Sequence, residues 1–282
     1  MSEISQDYAE SVAVSGISSD AGVEFSLRLG RFPARGFGSL WAGAYLGEQS
    51  YCASDNDLVL ADFTGPTPIQ SEQVVFEVSG PSWARFESFD RHSTHMQGSV
   101  RALAMVHQAA HPPSGRGDTP IRVEAFFEAS HQAVRVRTGR MEVMGRVTAS
   151  IVLPSGEYRF VVPGKWHEQI GDRPRFGPAF VYLNLRGEGI ELLASARKNR
   201  AWGYAYLDHQ VIMVKGFTLD PPAPKRAFIV ALENGENIQG EAVTIRETSV
   251  PIEGRRRPGA TVMASTNIGE MVGHLNDWQP DD

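Results

Sequence analysis

This sequence predicts an all-β, antiparallel protein, and three observations carry the prediction. Apolar and polar residues alternate with a period of two along many short stretches, the mark of strands with one buried face. Turn chemistry separates those stretches, as at Pro154-Ser155-Gly156 and Asn234-Gly235. Helical periodicity is almost absent, and Ile268 to Asn276 is the sole segment that reads as a helix.

After a frayed polar start, Val23 to Leu29 puts Val23, Phe25, Leu27 and Leu29 on one face and Glu24, Ser26 and Arg28 on the other. Pro33 and Gly36 break the chain, and Gly38 to Tyr45 returns as a hairpin partner. Leu58 to Phe63, Val74 to Val78, Ser82 to Phe89 and Ser99 to Val106 read as strands, and His111 to Pro120 as a loop. Ile121 to Glu128 alternates again, and Ala133 to Arg137 is short. Met141 to Leu153 and Glu157 to Val162 form a hairpin, with Gly145 marking a bulge or sharp bend. Gly164 to Gly171 follows as a short insert between strand-like halves. Ala179 to Leu185, Gly189 to Ala196, Trp202 to Tyr206, Val211 to Val214, Arg226 to Leu232 and Glu241 to Glu247 complete the series. Roughly fifteen strands are too many for one closed barrel of about eight. The chain therefore divides into two barrels or a pair of packed sheets, which places an N-terminal β domain at 1–145 and a C-terminal one at 146–282.

Composition narrows the function. A chain of 282 residues with 41% hydrophobic and 21% charged residues is an ordinary globular one. Its net charge of −6 argues against nucleic acid or an anionic membrane as partner. No apolar run approaches the roughly 18 residues of a membrane helix. The acidic start is no secretory leader, and the lone Cys52 suits a reducing cytoplasm, so a cytoplasmic monomer or homodimer is expected.

Chemistry concentrates in Gly164-Lys165-Trp166-His167-Glu168-Gln169-Ile170-Gly171. His167 and Glu168 are the candidate catalytic pair. An imidazole titrates near neutrality, and hydration or isomerisation of an alkene needs a proton donor beside an apolar wall. Adjacent strand residues diverge, so at most one of the two faces a given cavity. Trp41, Tyr45, Trp83, Trp166, Phe176, Tyr182, Trp202 and Tyr204 are candidate ligand-binding residues, since aromatic walls with sparse polar anchors make apolar pockets. Arg28, Asp172 and Arg173 are candidate anchors. His167-Glu168 begins a zinc-protease motif, but Gly171 occupies the position of its second His. No metal and no cofactor are expected.

Taken in order, several of these segments resemble one family. They are Gly145-Arg146-Val147, Gly156-Glu157-Tyr158, Gly164 to Gly171, Ala179-Phe180-Val181-Tyr182-Leu183 and Trp202-Gly203-Tyr204. Phe25 to Gly30, Pro33 and Leu40-Trp41 add to them in the first half. The family is that of two-domain lipocalin-like proteins: carotenoid 1,2-hydratases, AttH-type proteins and Diels-Alderase-like natural-product cyclases. The family's Asp-His order becomes His167-Glu168 here, and Ile170 stands where a second Trp is expected. The resemblance implies two lipocalin-like antiparallel β-barrels of calycin type packed together. It also implies a barrel pocket for a hydrophobic small molecule, terpenoid or polyketide-like. Cofactor-independent hydration, lyase chemistry, isomerisation or cyclisation is the implied activity, and a non-catalytic carrier or sensor is the alternative.

Overall fold

The computed structural model describes residues 5–60, 72–109, 111, 115–172, 179–198, 200–252 and 255–278. Strands make up almost all of it, and the helical content among these residues is a single 3-10 turn at Pro33–Arg35. The first eleven strands are β1 Tyr8–Ile17, β2 Val23–Phe32, β3 Phe37–Leu46, β4 Gln49–Val59, β5 Val74–Val78, β6 Trp83–Phe89, β7 Gln97–Val106, β8 Thr119–Ala129, β9 Val134–Arg137, β10 Arg140–Leu153 and β11 Gly156–Asp172. They form one antiparallel sheet in the order β4-β3-β2-β1-β11-β10-β8-β7-β6-β5, with β9 paired to β10. Isolated bridges Cys52↔His107, Ser54↔Gly115 and Val59↔Ser79 join β4 to the chain beyond β7 and β5, so the sheet is rolled until its ends meet.

The second group is β12 Phe180–Gly187, β13 Ile190–Arg197, β14 Arg200–Leu207, β15 Gln210–Leu219, β16 Lys225–Leu232, β17 Asn237–Ile252, β18 Arg255–Thr266 and β19 Gly269–Trp278. These close in sequence order into an eight-stranded barrel. The fold is thus the expected all-β, two-barrel lipocalin-like one. Each sheet encloses its own core: Val12, Leu27, Leu29, Phe76, Phe86, Phe127 and Trp166 belong to the first, and Leu183, Leu185, Ala205, Val230 and Val262 to the second.

Five expectations change. The polar start from Tyr8 is a full strand, held by pairing to β2 on one side and β11 on the other. Ile268 to Asn276 is no helix: it lies in β19, which pairs with both β12 and β18 and closes the barrel. The Gly164–Gly171 insert is an unbroken part of β11, in register with β1 and β10 throughout. The boundary at 145/146 falls within β10, whose hairpin with β11 belongs wholly to the first sheet. The two compact units are Met1–Ser18 with Gly22–Arg175, and Ser19–Ala21 with Phe176–Asp282. Gly145 marks a close approach rather than a bulge: a Cβ there would stand 2.0 Å from the Glu128 carbonyl oxygen on β8.

Candidate functional site

Alternation along β11 sends His167 and Glu168 to opposite faces of the first sheet. Glu168 turns inward with Trp166. The indole Nε1 donates to Glu168 Oε1 at 2.9 Å, Ser88 Oγ donates at 3.2 Å, and the Arg91 guanidinium forms an ion pair with the carboxylate. Glu168 and Trp166 are fully buried and Arg91 is 1% exposed. Burial lifts the Glu168 carboxyl above its usual range, against the pull of Arg91, Trp166 and Ser88. Each of the four hydrogen bonds Glu168 accepts, two of them from Arg91, comes from a buried side chain of the same core, so the carboxylate ties β6, the turn after it and β11 together. Trp166 likewise fills the core, against Phe86 and Phe127 at ring-centroid distances of 5.9 and 6.0 Å. Gly98 on β7 makes room for it, since a Cβ there would lie 2.5 Å from the indole.

His167 turns outward, and there it meets Glu142, its partner across the β10–β11 ladder. The imidazole Nδ1 and Glu142 Oε1 are 2.8 Å apart. Arg140 lies 2.5 Å from the same carboxylate, and Lys165 Nζ lies 3.6 Å from its other oxygen. Burial alone would raise the Glu142 carboxyl, but Lys165, His167 and Arg140 outweigh it and hold the group well below the carboxylate range. Burial pushes the His167 imidazole down to about 3, against the opposing pull of Glu142. At neutral pH the pair is therefore an ionised carboxylate and a neutral imidazole. A carboxylate only accepts, so Nδ1 carries the hydrogen and Nε2 is left as an acceptor. Among the described residues no hydrogen bond engages Nε2.

The surrounding outer face is defined by strand register. One row across β3, β2, β1, β11 and β10 reads Trp41, Arg28, Ala13, His167, Glu142. The rows beside it read Gly43, Ser26, Ser15, Lys165, Met144 and Ser39, Gly30, Ser11, Gln169, Arg140. Small residues thus floor the strip between Trp41 with Arg28 on one flank and His167 with Lys165 on the other. Arg28 stacks on the Trp41 ring, 4.5 Å from its centroid.

The other sequence candidates fall in separate places. Tyr45 lies on the same outer face as Trp41, further along β3. Trp83 is 38% exposed at the start of β6, too open for a cavity wall. Phe176 and Arg173 lie outside the described residues. Asp172 is exposed at the end of β11. Tyr182, Trp202 and Tyr204 come together: Ser195 sits between Tyr182 and Trp202 in one row, and Leu193 between Asn184 and Tyr204 in the next. They occupy the outer face of the second barrel, because its interior is taken by Leu183, Leu185, Leu192, Ala194 and Ala205. The expectation that these aromatics line a barrel interior is corrected for most of them: Trp41, Tyr45, Tyr182, Trp202 and Tyr204 face outward, while the first interior is packed with Phe25, Phe76, Phe86, Phe127 and Trp166 among aliphatic side chains and the second is mainly aliphatic. An eight-stranded barrel is just wide enough for its side chains to fill.

Sequence reasoning missed Glu142, Arg140, Lys165 and Ala13. The signal for Glu142 was available. Counting outward from the Pro154-Ser155 turn pairs Leu153 with Gly156 and, residue for residue, Glu142 with His167. No group of three or more His, Cys, Asp and Glu side chains among the described residues could hold a metal ion. A separate open depression of about 670 Å³ lies on the outer face of β7, β8, β10 and β11, lined by Phe126, Val161, Arg101 and Glu124, and shares none of these residues.

No protein-family profile and no curated protein matches the sequence. Solved structures do match. The crystal structure of CghA with Sch210972 aligns over 98% of this chain and 88% of its own, at 12% identity and a TM-score of 0.60. Kievitone hydratase from Nectria haematococca aligns over 96% of this chain and 89% of its own, at 9% identity and a TM-score of 0.60. Likeness at this level of identity establishes the shared two-barrel fold.

Proposed function

We propose that this protein moves a proton on a hydrophobic small molecule, with His167 accepting and returning it. The observation that carries the reading is the 2.8 Å contact between His167 Nδ1 and Glu142. Glu142 fixes the tautomer, aims Nε2 away from the ladder, and stabilises the imidazolium once the proton has arrived. Because the resting imidazole is held neutral, it enters the reaction as an acceptor. The imidazolium so formed is a stronger acid than free imidazolium and readily gives the proton up again. Acceptance at one atom and return at another is what isomerisation, hydration and dehydration require. Kievitone hydratase, which shares this fold, is named for a hydration, and that supports the reading.

The test uses the whole protein and a nonpolar extract of its own host, incubated in deuterium oxide and followed by mass spectrometry. One compound is expected to gain deuterium or to gain or lose water, and His167→Ala and Glu142→Gln are expected to slow this roughly 10²–10⁴-fold. Full turnover in both variants would remove the proton role. An unmodified apolar compound retained by the purified protein, with no turnover of it, would favour a carrier.

A further inference from the structure

We infer that the outer face of β6, β7, β8 and β10 binds a second copy of this chain, about a two-fold axis running along the strands between β7 and β8. The face shares no residue with the His167 site and does not depend on the proposed function. Strand register sets it out in rows. One row across β6, β7, β8 and β10 reads Glu87, Ser99, Phe126, Thr148, and the next reads Arg85, Arg101, Glu124, Ser150. Phe89, Gln97, Glu128, Arg146 flank these on one side, and Trp83, Leu103, Arg122, Val152 on the other. Trp83, Phe126 and Val152 are 38%, 38% and 41% exposed. Large apolar side chains gathered in water on one face mark a contact surface.

Charge selects the occupant. The two-fold lays β7 of one copy over β8 of the other, and β6 over β10. Arg101 then meets Glu124 of the second copy, and Glu124 meets its Arg101. Both are exposed, and neither has a hydrogen-bond or ion-pair partner among the described residues. In the flanking rows Trp83 meets Val152, Phe89 meets Arg146, Gln97 meets Glu128, and Leu103 meets the stem of Arg122. Arg85, already paired with Glu77 and Glu87, meets Ser150. No like charges are opposed in any of these rows. Shifting the axis by one strand destroys the match: between β6 and β7 it sets Arg85 against Arg101, and between β8 and β10 it sets Arg101 against Arg159 of β11.

Shape agrees with charge. The open depression of about 670 Å³ on this face is lined by Ser99, Arg101, Glu124 and Ser150 among others. Phe126 of the second copy falls over Ser99, so its ring has a hollow to enter. Packed sheets lie about 10 Å apart and within about 30° of aligned, so register holds near the axis and is required only of the four central strands. Four strands by the seven residues of β6 give a footprint of about 19 by 24 Å per copy. That is smaller than a standard interface, which makes the dimer weak and reversible.

Sedimentation velocity on the full chain, from about 1 to about 200 µM, tests the inference, and the wild type is expected to pass from monomer to dimer with a micromolar midpoint. Arg101→Glu and Glu124→Arg each oppose like charges across the axis and are each expected to weaken association at least about tenfold. An equimolar mixture of the two variants is expected to regain it as a heterodimer, and the double variant as a homodimer, because both restore opposite charges. Circular dichroism checks the fold of each variant, and recovery in the mixture rules out misfolding as the cause of the loss. Wild-type protein that stays monomeric throughout would overturn the inference, and saturable binding of a nonpolar dye to that monomer would assign the face to a small ligand instead. Association indifferent to the single reversals, or a mixture no better than either variant alone, would overturn it as well.

Discussion

Taking His167 from water into the fold lowers its proton affinity, so acid favours the unfolded chain. Its pKa falls from the ordinary 6.5 to about 3. The folded pKa lies below the unfolded one, so the stability is present above pH 6.5 and is lost as pH falls toward 3. The slope approaches about 1.4 kcal/mol per pH unit. Glu142 is also depressed and adds loss of the same sign below its unfolded value. Thermal midpoints from pH 8 to pH 4.5 are expected to fall in the wild type and to fall less steeply in His167→Gln. In turnover assays, the acid limb is expected to lack a break near 6.5, because the imidazole is already neutral there. On the inner face, Arg91→Ala strands the Glu168 carboxylate without its ion-pair partner and is expected to cost roughly 3–5 kcal/mol by urea denaturation. Replacing Arg91 and Glu168 together by Leu is expected to cost less than that single change. The pairing of Trp166 to Glu168 is invisible in sequence, where Trp166 is a candidate ligand wall and Glu168 one half of a candidate catalytic pair. Their proximity in the chain said nothing about Ser88 and Arg91, which arrive from β6 and the turn after it.

Strand β11 is the element on which both faces depend, since one ladder with β1 and β10 carries Trp166 and Glu168 inward and His167 outward. Its inner face works only because β7 supplies Gly98 beneath the indole, at 2.5 Å from any added Cβ. Gly98→Ala is expected to cost about 1–3 kcal/mol by overpacking, read as a lowered thermal midpoint. The same change at Gly47, where nothing lies within 4 Å but φ is +65°, would report backbone strain alone and separates the two causes. Strand β1 is the opposite case of legibility. Buried on nearly all of its length, it shows little of the alternation that reveals a half-exposed strand, so its polar beginning reads as a frayed end.

The two units each enclose an apolar cluster of their own. Calorimetry is accordingly expected to resolve two unfolding transitions. Leu185→Ala, which hollows the second core, is expected to cost roughly 2–5 kcal/mol and to lower one transition alone. The sequence by itself determined that the chain is built of antiparallel strands, where many of its turns lie, and that titratable side chains gather around His167. Those features are local: period two, turn residues and hairpin register need only neighbours along the chain. Only the tertiary structure decided which side of each strand faces in. Period two states that the faces differ and leaves open which one meets the core when both carry buried groups. That is why the aliphatic residues of β12, β13 and β14 fill the barrel while Tyr182, Trp202 and Tyr204 look outward, and why Glu142, rather than Glu168, is the carboxylate that His167 meets.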